Sequence, residues 1–156
     1  MNVDFNTFEK QIKIIQNEIA NKLRERYTYT FINTENEHYK KHILTLKLYS
    51  DGLCYSGYLW ECLINPVVIR ENEVFDFLCN YSGNVYVFWD IHSKDKILTE
   101  NYWRFDKNAV LEFDSKLLIE NCKYLPEDIY VFDDSFEWTY ILTHEDKDGC
   151  RICAKI

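Results

Sequence analysis

Residues 128–156 decide the fold: DIYVFDDSFEWTYILTHEDKDGCRICAKI. They contain three short segments rich in β-branched and aromatic side chains, at 128–134, 136–145 and 150–156. In the second segment the even positions from Phe136 to Leu142 are apolar, which is typical of a strand with one buried face. Polar connections, Asp-Ser and Asp-Lys-Asp-Gly, separate the segments. Strands at this spacing predict a β-meander.

A nearly continuous apolar run precedes the meander, VYVFWDI at residues 85–91. Such a run is expected of a central strand that is covered on both faces. Helical patterns lie on either side of it. Residues 70–80 predict a short helix closed by a turn at Ser82-Gly83-Asn84, and residues 115–126 predict another that stops at Pro126.

Two β-rich stretches lie earlier in the chain, at residues 27–32 and 41–50. In the second, leucines stand at every other position from 44 to 48, which predicts a strand with one buried face. The turn signal Ser-Asp-Gly at 50–52 predicts a hairpin whose second arm begins at Leu53.

The N-terminal segment carries apolar residues at steps of three and four. This periodicity predicts one long helix whose apolar face packs on the sheet. The residues of that face are Phe5, Phe8, Ile12, Ile15, Ile19 and Leu23. Together with the strands, the helix predicts a single α+β domain over residues 1–156, with a mainly antiparallel sheet that ends in the β-meander.

The charge is concentrated in one part of the sequence. The net charge is −8, and between Glu112 and Asp148 eleven Asp and Glu face three Lys, so this segment carries the whole formal excess. A negative field of this kind repels nucleic acid and anionic membranes and attracts a basic protein partner. The plain alternative is a generally acidic surface that keeps the protein in solution.

The expected location is the cytoplasm. The N-terminus lacks the basic start and apolar core of a signal peptide, and no run of about 18 apolar residues occurs. In a reducing compartment the six cysteines are expected to be thiols. Cys150 and Cys153 form a C-x-x-C motif without a second pair, and the motif lies in a predicted strand, so we expect no metal or cofactor.

His144 closes the aromatic strand and is followed by Glu145. Adjacent strand residues point to opposite faces, so these two are not expected to cooperate. The favoured interpretation is a histidine that ends a strand by hydrogen bonding to a neighbouring backbone. The alternative is a pocket at the ends of two adjacent strands, in which His144 acts with Asp90 or His92.

Aromatic and acidic residues supply the candidate binding surface. Tyr102 and Trp103 lie in a polar loop, and exposed aromatic residues framed by charge are typical anchors of protein interfaces. The alternative is a loop that folds back over the core. Four acidic residues of the charged segment complete the predicted surface, and the first two of them also have turn chemistry: Asp133, Asp134, Glu137 and Glu145.

The closing stretch and residues 85–93 resemble the C-terminal half of a group of small bacterial proteins, domain of unknown function 4275. A signature of that group, F-x-W-T-x-x-x-T-H-E, matches Phe136, Trp138, Thr139, Thr143, His144 and Glu145. A weaker likeness lies at YLWECL, residues 58–63, and the Gly-Pro-Tyr-Phe tail typical of the group is replaced by DGCRICAKI. The resemblance implies no catalytic residue.

Small acidic bacterial proteins rich in aromatic residues are also similar in character to immunity proteins, which neutralise toxins of neighbouring cells. The sequence thus favours a non-enzymatic protein-binding module of this type, present as a monomer or homodimer. The alternative function is a small hydrolase or ligand-binding domain that uses His144 with Asp90 or His92.

Overall fold

The computed structural model describes residues 4–97, 99 and 104–156 of the chain. The helices are α1 (Phe5–Lys10), α2 (Asn17–Phe31), α3 (Glu37–Tyr39), α4 (Glu71–Asn80) and α5 (Ser115–Asn121). The strands are β1 (Lys13–Ile15), β2 (Lys47–Tyr49), β3 (Gly52–Cys54), β4 (Val67–Arg70), β5 (Asn84–Trp89), β6 (Val110–Asp114), β7 (Ile129–Phe132), β8 (Thr139–Lys147) and β9 (Cys150–Lys155). Shorter helical turns lie at Lys40–Leu44, Leu59–Cys62, Lys94–Lys96 and Cys122–Tyr124.

Seven strands form one sheet in the order β1-β6-β5-β7-β8-β9-β4, and β2 and β3 form a separate hairpin. Every pairing among the described strands is antiparallel. The α+β class, the central position of β5 and the C-terminal meander of β7, β8 and β9 are confirmed. The predicted hairpin turn is confirmed at Gly52, whose φ of +116° is readily adopted only by glycine.

Both faces of the sheet are covered. Successive residues of one strand point to opposite faces and belong to different apolar clusters, as Val87 and Phe88 of β5 do. The first cluster contains residues of α1, α4 and α5, and the second contains residues of α2 and the turn Leu59–Cys62. The continuous apolar run of β5 follows from this burial on two sides.

The predicted long N-terminal helix is divided into two. α1 ends at Lys10, β1 pairs with β6 at the edge of the sheet, and α2 begins at Asn17 in a left-handed conformation with φ of +59°. Phe8 is fully buried, whereas Ile19 is 67 % exposed. Pairing with the sheet therefore overrides the local helical periodicity between residues 11 and 16.

One predicted strand is wrong, and another is much shorter than predicted and has no buried face. Residues 27–31 are the second half of α2, where Tyr27 and Phe31 lie four residues apart and are both buried. In the second stretch the chain makes a π-helical turn at Lys40–Leu44 before the short β2. The leucines from 44 to 48 are exposed, so the predicted buried face does not exist.

Candidate functional site

One cavity of about 150 Å³ brings together Asp90, His92 and His144. We call it the histidine pocket. The sheet register explains the convergence, because Trp89 pairs with Ile129 and Ile129 pairs with Leu142. The next residues beyond these pairs therefore gather at one end of three adjacent strands. The pocket is lined by Tyr58, Trp89, Asp90, His92, Lys96, Ile97, Pro126, Glu127, Asp128 and His144.

Asp90 is almost fully buried, with 2 % of its surface exposed. Its carboxylate accepts hydrogen bonds from the Leu59 amide (3.0 Å) and the Tyr130 hydroxyl (2.8 Å). The removal of this carboxyl from water raises its pKa to about 7. Asp90 therefore holds the turn Leu59–Cys62 against the sheet and titrates near neutral pH.

His144 forms a dyad with Asp128. Its Nδ1 lies 3.0 Å from both carboxylate oxygens, and its backbone amide donates to the same carboxylate. The Trp60 indole also donates to Asp128, at 3.0 Å. Partial burial of the ring disfavours its charge, but the hydrogen bond and charge of Asp128 outweigh that effect and raise the pKa of His144. The Nε2 atom remains directed away from Asp128 for proton exchange.

His92 has the opposite character. Its Nε2 lies 2.8 Å from the Gly57 carbonyl oxygen, which can only accept, so Nε2 carries the hydrogen and Nδ1 carries a lone pair. Burial lowers the pKa of His92, which favours this neutral form. The Tyr58 ring contacts both histidines, with centroids 4.7 Å from that of His92 and 4.9 Å from that of His144.

Two interpretations of His144 are wrong. Its partner is the Asp128 side chain and not a neighbouring backbone group. Its Nε2 also lies 3.7 Å from a Glu145 carboxylate oxygen, although adjacent strand residues normally face apart. The pairing of β8 with β9 shifts between Leu142 and Asp146, and this irregularity removes the regular alternation.

A second region combines aromatic rings with acidic residues, and we call it the aromatic–acidic surface. Its four rings are Phe77, Tyr81, Trp138 and Tyr140, which pack on the first apolar cluster and are only partly buried. The Phe77 centroid lies 4.4 Å from that of Tyr140 and 4.8 Å from that of Trp138. Tyr81 lies 5.4 Å from Trp138. The rings therefore form one ordered group.

The predicted acidic residues divide between the two regions. Asp134, which acts electrostatically on Tyr81, and Glu137 are exposed on the connection that leads to Trp138, whereas Glu145 lies 3.7 Å from the His144 ring. Asp133 is only 8 % exposed and works internally, because it accepts from the Tyr81 hydroxyl (2.7 Å) and from the Ser135 amide and hydroxyl. Its turn role is therefore present. Tyr102 and Trp103 lie outside the described residues.

The members of these regions that sequence reasoning did not name as site residues include Tyr58, Phe77, Tyr81, Asp128, Trp138 and Tyr140. The YLWECL stretch gave a signal for Tyr58, and Asp128 is the first residue of the predicted strand segment 128–134. Phe77 lies in the predicted helix at 70–80, where it packs on the first apolar cluster and is partly exposed. Their meeting depends on strand pairing, which one sequence does not specify.

None of the helices in 4–97 and 104–156 is long and apolar enough to cross a membrane. Within the same ranges, no three His, Cys, Asp or Glu side chains are grouped so that they could hold a metal ion. Cys150 is exposed and Cys153 is buried, and both are free thiols.

The fold and its regions define an α+β protein with an antiparallel sheet, a small acid–base pocket and an aromatic–acidic surface. The chain belongs to the family described as Domain of unknown function (DUF4275), whose family model matches residues 1–150. The match extends well beyond the C-terminal half in which the resemblance was recognised. No curated protein and no solved structure compared with the chain gives a match.

Proposed function

We propose that this chain is a cytoplasmic bacterial binding module for a basic protein, of the kind that immunity-type inhibitors of toxins represent. The observation that carries the proposal is the aromatic–acidic surface. Interface anchors are enriched in tyrosine and tryptophan that bury apolar area in the complex. Trp138, Tyr81 and Tyr140 are residues of this type, and they are partly exposed.

The four ring side chains are already held in fixed positions, and this supports a role in binding. Phe77 stacks on Tyr140 at an interplanar angle of 27°, and Tyr81 is held by its hydrogen bond to Asp133. Side chains that are already fixed lose little conformational freedom when a partner arrives, so more of the contact energy remains as affinity. The surface is therefore prepared before binding.

The charge around the rings specifies the partner's chemistry. Asp134 and Glu137 are exposed on the β7–β8 connection. Glu73 of α4 lies close enough to Tyr140 for its negative charge to contribute, after burial, to the raised pKa of the tyrosine. Carboxylates around apolar anchors favour a partner that presents lysine or arginine. Complementary charge of this kind accelerates association and makes the rate depend on salt.

The test uses the full chain as bait in a lysate of its native host, beside a variant with Asp134→Lys and Glu137→Lys. We expect a basic protein that binds the wild-type chain and associates at least about tenfold more slowly with the double variant, by stopped-flow or biolayer measurement. Added NaCl should slow only the wild-type reaction steeply. Glu18→Lys, a change at a side chain 81 % exposed on α2, is the matched control and should leave the rate nearly unchanged.

Inhibition has its own readout. The captured protein is expressed in a bacterial host with and without this chain, and we expect it to arrest growth only when the chain is absent or carries both lysine substitutions. The proposal fails if no basic protein is retained. It also fails if the double variant binds at the wild-type rate.

A further inference from the structure

The histidine pocket is separate from the aromatic–acidic surface. Trp138 and Tyr140 pack with α4 on one face of the sheet, whereas the pocket lies beyond Thr143 at the strand ends, beside the turn Leu59–Cys62. The groups of the pocket are therefore not explained by protein binding. Its two histidines differ in the ring nitrogen that is left to exchange a proton, which is Nδ1 in His92 and Nε2 in His144.

The geometry assigns complementary roles to the two rings. His92 presents an unprotonated Nδ1, because its Nε2 hydrogen is engaged by the Gly57 carbonyl. His144 holds Asp128 through Nδ1, and its Nε2 lies 3.7 Å from a Glu145 carboxylate oxygen, beyond hydrogen-bond distance, so Nε2 can still donate or accept. Both rings lie against Tyr58 and line the same cavity. One base and one acid face a shared space that is large enough for a small group.

We propose that the histidine pocket hydrolyses a small uncharged ester or amide, with His92 as the general base and His144 as the general acid. Asp128 is a positioning residue that fixes the His144 ring. Among the described lining residues there is no serine or cysteine, and we assign the role of nucleophile to a water molecule activated by His92. The carboxylates of Glu127 and Asp128, which line the cavity, disfavour an anionic substrate such as a phosphate ester.

The reaction balances without a further reagent. His92 Nδ1 takes a proton from water as the water oxygen bonds to the carbonyl carbon. The bond from that carbon to the leaving oxygen or nitrogen then breaks, and His144 Nε2 gives its proton to the leaving atom. The products are a carboxylic acid and an alcohol or amine. Water carries the extra proton from His92 to His144 and restores the starting state.

The environment separates the two titrations in the required direction. Burial keeps His92 neutral, and Asp128 favours the charged form of His144. Pairs of groups whose pKa values are moved apart are typical of acid–base sites. Among the described residues, the other titratable and charged groups that line the cavity or contact these rings are Tyr55, Tyr58, Asp90, Lys96, Glu127, Asp128 and Glu145.

The chain offers isosteric variants for the test. His92→Gln keeps an amide donor for the Gly57 carbonyl but removes the Nδ1 base. His144→Asn keeps a donor for Asp128 but removes the Nε2 acid. The remaining histidines of the chain provide the controls, because His38 contacts Glu61 and His42 contacts Ser56 outside the pocket lining.

The probes are p-nitrophenyl acetate and acetyl amides of small aromatic amines. For each probe, kcat/KM for hydrolysis is measured from pH 5 to 9. We expect each pocket variant to lose about 100-fold in kcat/KM, and His38→Gln and His42→Asn to stay within about twofold of wild type. His92→Gln should remove the acid limb of the bell-shaped profile, and His144→Asn the alkaline limb. Circular dichroism checks that every variant is folded.

The proposal is wrong if the wild-type chain hydrolyses no probe faster than a variant that carries both pocket substitutions. It is also wrong if all four histidine variants lose activity equally, because that result describes surface imidazole. NMR titration gives a readout independent of turnover: the pKa of His144 must lie above that of His92. None of these outcomes depends on the basic partner.

Discussion

Asp90 is a carboxyl group inside the protein whose two hydrogen bonds come from the Leu59 amide and the Tyr130 hydroxyl. The charge of the buried Arg24 favours ionisation of Asp90, but the Arg24 guanidinium itself donates to backbone carbonyls. Burial thus favours the protonated acid in the folded protein, whereas the unfolded chain exposes an ordinary aspartate. The two states therefore bind different numbers of protons across a defined range of pH.

The stability of the protein should consequently depend on pH through Asp90. Its pKa is raised from 3.8 to about 7, so between these values the folded state holds a proton that the unfolded state lacks. The contribution of Asp90 is present below about pH 4 and is lost as pH rises to 7, by up to about 1.4 kcal/mol per pH unit. Urea unfolding at pH 5, 6 and 7 measures this slope.

The neutral variant Asp90→Asn isolates the effect. We expect its free energy of unfolding to vary less between pH 5 and 7 than that of the wild type. Asp76→Asn, a change at an exposed position of α4, should keep the wild-type slope. Equal slopes for the wild type and Asp90→Asn would show that the carboxyl is ionised throughout.

Arg24 joins α2 to the loop before β6. Its guanidinium donates to four backbone carbonyls, those of Trp89, Lys107, Asn108 and Ala109, at 2.9–3.0 Å. Arg24→Met leaves these acceptors buried without a donor, and we expect a loss of about 3–5 kcal/mol in the free energy of unfolding. Chemical denaturation measures it.

The matched control for that prediction is Arg26→Met. Arg26 is exposed and its guanidinium lies 4.1 Å from the centre of the Phe136 ring. Removal of such a contact is expected to cost about 0.5–1 kcal/mol. Similar losses for the two variants would contradict the buried role of Arg24.

At the scale of elements, the division of the N-terminal segment has a direct test. Phe8 of α1 is buried and Ile19 of α2 is 67 % exposed, although one continuous helix would bury both. We expect Phe8→Ala to reduce the free energy of unfolding by about 3–5 kcal/mol and Ile19→Lys to change it by less than about 0.5 kcal/mol. A large loss from Ile19→Lys in thermal or urea unfolding would favour the continuous helix.

The connection between β7 and β8 depends on one of its two aspartates. Asp133 is bonded to Tyr81 and Ser135, and Asp134 is exposed. Asp133→Ala leaves those donors without their acceptor, so we expect a loss of about 1–3 kcal/mol. Asp134→Ala is the control and should cost less than about 0.5 kcal/mol. Denaturation curves that rank the two variants in the opposite order would contradict the turn.

Elements with a complete local signal were predicted correctly. The meander combines apolar segments with turn residues between them, and α4 combines apolar periodicity with the turn Ser82-Gly83-Asn84 after its end. The strand prediction for residues 27–32 was wrong because six residues are too few to distinguish a strand from a helix. Over the longer segment the buried positions 20, 24, 27 and 31 are separated by four, three and four residues, which is helical spacing. Residues 41–50 failed because alternating leucines carry no information about whether a partner covers them.

At the scale of the whole molecule, the sequence placed Asp90, His92 and His144 at strand ends but not in contact with the right partners. The acid of the dyad is Asp128, whose position depends on the pairing of β7 with both β5 and β8. Tyr58 directly precedes the turn Leu59–Cys62. This turn packs in the second apolar cluster, and Asp90 holds it by accepting a hydrogen bond from the Leu59 amide. Such convergence depends on pairings between distant residues, which local periodicity does not specify.

The order of strands also has a consequence for synthesis on the ribosome. β4 borders the sheet through β9, its single neighbour among the described strands, and the two are about 80 residues apart. At about 5–20 residues per second, a nascent chain waits about 4–16 s after β4 is made before β9 emerges. During that interval the backbone of Val67 and Val68 has no strand to pair with, so folding of this edge is necessarily a late event and its apolar side chains are accessible to chaperones.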